Sequence, residues 1–300
     1  MKRTAYAKAI DDVRESWIDE LTDTSRDALH EQAVLVADAV RERGTGAVSD
    51  AVSDTEAIIQ ELYADIYEPV FVNLAEIVFQ SYYQRSDSVG RSVPQRPYAD
   101  FSFRQTIPDF LDRWIEAARR LLLSRPVQRR VKLVQQETID EINRRVLIGL
   151  EEGLSVDRIA DLIDGTEYGR PVEGRFPLVE PYSGPPVHDT TVRQRAQRIA
   201  RTETMAAANS GGRQGVLDTG LDLRHFWIDI KGDNRTRDSH NTSLHPGLAE
   251  PRLMNEPYVL INKHGPVTLM FPSDPNAAGT ERAVAGETIL CRCVEGYEVI

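Results

Sequence analysis

The sequence predicts an α+β protein, with a long helical N-terminal part followed by a small C-terminal domain of one helix and a short-stranded antiparallel sheet. Apolar residues recur at helical spacing through most of the first 160 residues. After Gly220 the pattern changes to short segments rich in β-branched and aromatic residues, separated by turn residues. Between the two parts, residues 165–186 hold five of the sixteen prolines.

These changes of pattern divide the chain into three segments. We expect residues 1–164 to form a helical region, residues 165–186 a Pro/Gly-rich connection, and residues 187–300 the small C-terminal domain. Pro69 interrupts one of the long helical patterns and is expected to kink or split that helix, because proline removes a backbone donor.

Glycine and serine mark the expected ends of several helices. Gly153 follows a helical segment and is a natural C-terminal residue for it, while Ser155 can cap the short helix that comes next. A further helix is predicted from about Thr190 to Asn209, ending at Gly211 and Gly212.

Composition excludes some broad classes of function. The net charge of −11 argues against a protein that coats DNA, because such a protein needs a basic surface. No run of about 18 apolar residues occurs, so no membrane span is expected. The first residues lack the apolar core of a signal peptide, so we expect a protein that is made in a cytoplasm.

Two short motifs near the C-terminus contain residues that commonly bind metals. His240 and His245 lie in the segment DNRTRDSHNTSLHPG, and Cys291 and Cys293 are the only cysteines in the chain. On a strand, residues two apart point to the same face, so both thiols would be neighbours. Two thiolates and two imidazoles suit tetrahedral zinc. The alternative is that the cysteines pack in the core and the histidines lie in a loop.

Charged residues near these motifs form a second candidate cluster. Arg201 and Glu203 lie on a predicted helix, and Asp233, Arg235 and Arg237 lie in the loop that precedes His240. They are predicted to form a structural ion-pair cluster that fixes the loop against the helix. The alternative is a solvated helix face and a turn held by its own Asp and Asn side chains.

Several motifs occur in a characteristic order: GLSVDRIADLI, IARTETMAAANSGGRQG, FWIDIKGDNRTRDSHNTSLHPG and a closing CRC. In this order the chain resembles the phage head morphogenesis family, the phage Mu F-like minor capsid proteins of tailed viruses. The resemblance covers roughly residues 105–295 and is strongest from Arg198 to Cys293. The family signature falls on Arg201, Thr202, Glu203, Asp233, Arg235, Arg237, His240, His245, Cys291 and Cys293.

The resemblance implies a low-copy virion component, located at the portal or in the capsid interior and acting in head assembly and DNA packaging or delivery. The implied partners are the portal protein, the major capsid protein, further copies of this chain, or packaged DNA, without a membrane. The helical region would contact the portal or capsid or associate with itself. The residues 187–300 would be the Mu F-like domain, with structural zinc as its cofactor and no enzymatic role.

Two alternatives remain open at the level of sequence. The chain could be a phage-encoded enzyme, a nuclease or group transferase that uses Glu203 and His240 as acid, base or phosphate-binding groups. It could also be a head protein that contacts DNA through two basic segments. Their candidate residues are Arg125, Arg129, Arg130, Lys132, Arg193, Arg195 and Arg198.

Overall fold

A computed structural model of the chain describes residues 3–88, 103–164, 166–167, 170–171, 192–229 and 236–300. The helices are α1 (Arg3–Arg43), α2 (Val48–Asp54), α3 (Glu56–Ser88), α4 (Phe103–Leu122), α5 (Arg125–Glu151), α6 (Val156–Asp164), α7 (Val192–Asp218) and α8 (Glu281–Thr288). The strands are β1 (Thr166–Glu167), β2 (Arg170–Pro171), β3 (Leu223–Ile228), β4 (Arg252–Leu253), β5 (Tyr258–Asn262), β6 (Gly265–Leu269), β7 (Ala278–Gly279) and β8 (Val294–Val299). The predicted α+β class, with long N-terminal helices and a small C-terminal part, is confirmed.

The chain forms two compact units that interleave along the sequence. The first unit contains Met1–Trp17, Ile66–Ser124 and Arg201–Ile300, and the second contains Ile18–Asp65 and Arg125–Ala200. These units cut across the predicted segments, because α1, α3 and α7 each contribute residues to both. Most of the predicted connection at 165–186 lies outside the described residues, apart from the antiparallel pair β1 and β2. None of the described helices is long and apolar enough to cross a membrane.

Two of the predicted helix ends agree with the local backbone. Gly153 has a φ of 69°, a left-handed conformation that glycine adopts without steric cost. The amide of Leu154 donates to the carbonyl of Gly149 at 2.8 Å, as in a helix that closes on a C-terminal glycine. Ser155 Oγ then accepts a hydrogen bond from the amide of Arg158 at 3.4 Å, at the start of α6.

Other helix boundaries differ from the prediction. α3 passes through Pro69 as one continuous helix, so the proline does not split it. α7 does not end at Gly211 and Gly212 but continues to Asp218. The reason is a tertiary contact within the first unit. A Cβ atom on Gly211 would lie 2.1 Å from the carbonyl oxygen of Phe71, and one on Gly215 would lie 2.1 Å from that of Ala75. These glycines therefore allow α3 and α7 to approach closely rather than ending the helix.

Replacing Gly211 by alanine is expected to lower the free energy of unfolding by about 1–3 kcal/mol, because the added methyl group meets rigid backbone. Denaturant unfolding of the purified protein measures this change. Gly46→Ala is the matched control, since a Cβ at that position has nothing within 4 Å. Equal stability of the two variants would contradict the close helix contact.

Two small antiparallel sheets form the β part of the first unit. One has the order β4-β3-β8, and the other has the order β5-β6-β7. β3 and β8 pair along their full length, with Trp227 opposite Glu295. The core here joins side chains from both sheets and α8. It contains Trp227, Leu248, Tyr258, Leu260, Val267, Leu269, Ala283, Cys291 and Cys293.

Candidate metal centre

The two sequence motifs meet in this core. His240 ends a short 3₁₀ turn, Asp238–His240. Cys291 and Cys293 lie in the turn between α8 and β8, since the last strand begins only at Val294. The expectation that both cysteines lie on a strand is therefore wrong. They nevertheless reach the same place, because the turn directs both thiols at His240.

The three side chains form a buried group that could hold a metal ion. His240 Nδ1 lies 3.5 Å from Cys291 Sγ and also 3.5 Å from Cys293 Sγ. His240, Cys291 and Cys293 are 1%, 1% and 3% exposed. A His240 imidazolium can direct its Nδ1–H towards both sulfur atoms, and a metal ion bound by all three atoms would hold them at similar distances.

His245, the fourth predicted ligand, is exposed and is not part of this group. It immediately precedes the turn Pro246–Leu248. The described residues therefore supply three ligands of the predicted four.

Glu287 is a residue of the candidate site that the sequence analysis missed. Its Oε2 lies 2.7 Å from His240 Nε2, on the opposite side of the imidazole from the sulfur atoms. Ser239 Oγ donates to the same oxygen at 2.8 Å, and Asn262 Nδ2 donates to Oε1 at 2.6 Å. Metal-binding histidines commonly donate their second N–H to a carboxylate, which fixes the ring and its tautomer. Glu287 is placed to play this role for a metal-bound His240.

Neighbouring groups favour the charged forms of His240 and Glu287, although both side chains are buried. Burial opposes the charge of His240, but Cys291 and Glu287 outweigh it and raise the pKa of His240 to about 9. Burial raises the pKa of Glu287, but hydrogen bonds from His240, Asn262 and Ser239 lower it to about 2.

The two thiols differ from each other in ionisation. Burial raises the pKa of Cys291, but a hydrogen bond from Cys293 and the charge of His240 lower it well below its usual range. Burial and the neighbouring Cys291 thiolate raise the pKa of Cys293 well above its usual range. These shifts favour a thiolate at Cys291, a thiol at Cys293 and an imidazolium at His240.

Backbone conformations at the site are unusual. Leu290 and Ser273 are the described non-glycine residues with positive φ, at 56° and 60°. Leu290 directly precedes Cys291, and the nearby Ser273 side chain helps to lower the pKa of Cys291. The amide of Leu290 donates to Thr202 Oγ1 at 3.2 Å, which ties the turn to α7. Such conformations cost free energy and cluster at functional sites.

A buried arginine from the first helix holds the Cys-x-Cys turn. Arg14 is fully buried, and its Nη2 donates to the carbonyl oxygen of Arg292 at 3.1 Å. Its Nη1 lies 3.4 Å from the carbonyl oxygen of Cys293 and 3.4 Å from Asn209 Oδ1. Asn209 Nδ2 donates to the carbonyl oxygens of Cys293 at 3.1 Å and Pro272 at 2.7 Å. α1 and α7 therefore both fix the backbone of the metal-capable turn.

The described members of the predicted ion-pair cluster have separate partners. Arg201 pairs with Glu15 at 3.1 Å, Glu203 accepts a hydrogen bond from Tyr67 at 2.7 Å, and Arg237 donates to the carbonyl oxygen of Ile289. These contacts do not join Arg201, Glu203 and Arg237 into one cluster. The other two predicted members, at positions 233 and 235, lie outside the described residues.

The structure also places most of the residues predicted for an enzyme or for DNA contact. Glu203 and His240 are 2% and 1% exposed; Glu203 accepts a hydrogen bond from Tyr67, and His240 lies next to Glu287. For DNA contact, Arg125, Arg129 and Lys132 are exposed on α5, whereas Arg130 is half-buried. Arg198 pairs with Glu137 at 2.7 Å. The side chains of Arg193 and Arg195 are outside the described part.

The fold and the site define an α+β protein whose small β part surrounds a buried His/Cys-x-Cys group. No protein-family model, no curated protein and no solved structure matches this chain. The relationship to the phage head morphogenesis family therefore stays a prediction from the order of the motifs.

Proposed function

We propose that the chain is a minor capsid protein of a tailed virus that acts in head morphogenesis, with a structural zinc ion in its C-terminal part. The observation that carries this proposal is the convergence of two separate signature segments, ending at His240 and at Cys291 to Cys293, in one buried site. A motif order that matched by chance would not be expected to bring its metal-binding residues together.

Zinc is the metal that the geometry favours. Tetrahedral zinc has bonds of about 2.3 Å to sulfur and about 2.1 Å to nitrogen, which place the two ligand atoms about 3.6 Å apart. The observed distances from His240 Nδ1 to both sulfur atoms are 3.5 Å. Thiolate and imidazole together suit zinc better than magnesium or calcium, which prefer oxygen. Burial of all three ligands favours a structural role over a catalytic one.

An interaction role is supported by exposed leucines on the helical part. Leu133, Leu147 and Leu150 on α5 are 53%, 59% and 54% exposed. Apolar side chains of this size on one helix are candidates for contact with a portal, a capsid protein or another copy of the chain.

The proposed role is tested by co-expression with the portal protein encoded in the same genome, followed by affinity purification and size-exclusion chromatography. We expect the two proteins to elute together, and the chain to be present at low copy in purified heads. Absence from the heads, together with no portal complex, would refute the virion role. Zinc content is measured separately, so the two parts of the proposal can fail independently.

Zinc binding should release protons, because zinc displaces them from its ligands. At neutral pH His240 carries a proton, given its pKa of about 9, and Cys293 is a thiol because its pKa is raised. If about two protons are released per zinc ion, zinc affinity should rise about 100-fold for each pH unit between about pH 6 and 8. Acid therefore weakens binding. Calorimetry in buffers of different ionisation enthalpy measures the protons released, and a value near zero would contradict these protonation states.

DNA contact is a second candidate function, favoured by one specific observation. Arg125, Arg129 and Lys132 are exposed at spacings of four and three residues, which places them on one face of α5. Removing two phosphate contacts should reduce the slope of log affinity against log salt by about 1.8. Duplex binding by Arg129→Gln/Lys132→Gln, measured across salt concentrations, tests this. The control is Arg119→Gln/Arg120→Gln on α4; an unchanged slope in the α5 variant would exclude the α5 face.

A further inference from the structure

A cleft of about 720 Å³ lies beside the metal centre, and nothing in the proposed virion role uses it. Its wall is formed by the turn that carries His240, the β5–β6 hairpin and α8. It is lined by Arg237, Asp238, Ser239, Ile261, Asn262, Lys263, His264, Arg282, Ala285, Gly286, Glu287, Ile289 and Leu290. The volume lies within the range of about 300–1,000 Å³ that small-molecule sites occupy.

The cleft has an excess of available positive charge in an acidic protein. Its cations are Arg237, Lys263 and Arg282, and its carboxylates are Asp238 and Glu287. Glu287 is already bound by His240, Ser239 and Asn262, so it does not neutralise the cations. Lys263 and Arg282 are exposed, and no hydrogen bond or ion pair joins their side chains to another residue that the structure describes.

One of the three cations is held in place from inside the fold. Arg237 is half-buried, and its Nη2 donates to the carbonyl oxygen of Ile289. This contact fixes the guanidinium at the wall of the cleft and leaves its remaining N–H groups for a ligand. A guanidinium fixed in this way suits a phosphate or carboxylate, which can accept several N–H groups at once.

The rim of the cleft is apolar, and this feature distinguishes it from a site that binds only a small inorganic anion. Ile261 is 75% exposed and Leu290 is 45% exposed, although both are large aliphatic residues. A ligand that covers them needs a flat or apolar part next to its anionic group. The exposed carboxylate of Asp238 is an acceptor for hydroxyl or amino groups, which a bare phosphate does not carry.

We propose that this cleft binds a nucleotide, with its phosphate held by Arg237, Lys263 and Arg282 and its base covering Ile261 and Leu290. The nucleotide can be free or can be part of a single strand or a strand end. A duplex is too wide to enter a cleft of this volume, so the inference is separate from duplex contact at α5. It does not rest on the virion role or on zinc.

Binding is tested with the full-length protein, using a fluorescent ATP analogue and a labelled short thymidine oligonucleotide in anisotropy titrations. We expect saturable binding of at least one probe below about 1 mM. Lys263→Gln/Arg282→Gln should weaken it at least about tenfold, because two charge-assisted contacts are lost. The control is Arg119→Gln/Arg120→Gln, which removes the same charge from exposed positions on α4.

The two probes distinguish the sources of the nucleotide, since tighter binding of the oligonucleotide indicates a strand and tighter binding of ATP a free nucleotide. Ile261→Ser should weaken both probes without changing competition by inorganic phosphate. No saturable binding by folded protein would overturn the proposal, and so would equal weakening in the control. Inorganic phosphate that competes as strongly as ATP would overturn the nucleotide assignment, because the apolar rim would then contribute nothing.

Discussion

Cys291→Ser and His240→Ala should each purify without zinc, whereas the parent protein and His245→Ala should contain about one zinc ion per chain. The reason is that each of the first two substitutions leaves only two of the three described ligands. His245 is exposed and lies outside the ligand group, so its removal should not change the metal content. Elemental mass spectrometry of the four proteins measures this directly.

The same substitutions should destabilise the protein through the loss of bound metal. A ligand present at about a thousandfold its dissociation constant stabilises the native state by about 4 kcal/mol. We therefore expect Cys291→Ser to unfold at a clearly lower temperature than the parent. Serine is close to cysteine in size, so most of this difference should disappear when both proteins are unfolded in the presence of a zinc chelator.

The opposite outcome would be equally informative. A parent protein without metal, as stable as Cys291→Ser with or without added zinc, would exclude the zinc site. His240, Cys291 and Glu287 would then be a buried hydrogen-bonded group of the core. A His245→Ala protein without zinc would instead restore His245 as a ligand and would contradict its exposed position.

The long helices were predictable because buried apolar residues recur along each of them at helical spacing. On α5, Val127, Val131, Val134, Ile142 and Val146 are all buried, at the spacing that the sequence shows. The end of α7 was not predictable in the same way. Gly211 and Gly212 resemble a helix stop in isolation, and only the contact of Gly211 and Gly215 with the backbone of α3 explains why the helix continues.

The metal-capable group was partly predictable, because cysteine is rare in this chain and its Cys-x-Cys spacing limits the alternatives. Local spacing also misled, since it counted His245 as a fourth ligand. That side chain is exposed, directly before the turn that starts at Pro246. Asn209 and Glu287 have no local pattern that indicates their roles. They act through contacts with segments 84 and 47 residues away, which depend on the fold.

Arg14→Ala is expected to lower the free energy of unfolding by about 3 kcal/mol or more, because it takes one hydrogen-bond donor from each of two carbonyl oxygens and removes a large buried side chain. The affected oxygens belong to Arg292 and Cys293, the backbone of the metal-capable turn. Zinc affinity should also fall by about 10–100-fold, as when other groups that orient a metal ligand are removed. A competing chelator titrated against the folded protein measures that affinity.

If Arg14 had only a structural role, Arg14→Ala would lower the stability of the protein without changing its zinc affinity. The control variant must therefore be destabilised by a substitution that does not contact the Cys-x-Cys turn. Ile59→Ala suits this purpose, because Ile59 is fully buried in the other compact unit. It should lose stability to a similar degree and keep its zinc affinity. Arg14→Lys should be intermediate, since an ammonium can keep the charge but cannot reach the carbonyl oxygens of both Arg292 and Cys293 with the same fork. Parallel loss of zinc affinity in Arg14→Ala and Ile59→Ala would show that Arg14 acts through stability alone. The first helix would then have no specific role in zinc binding.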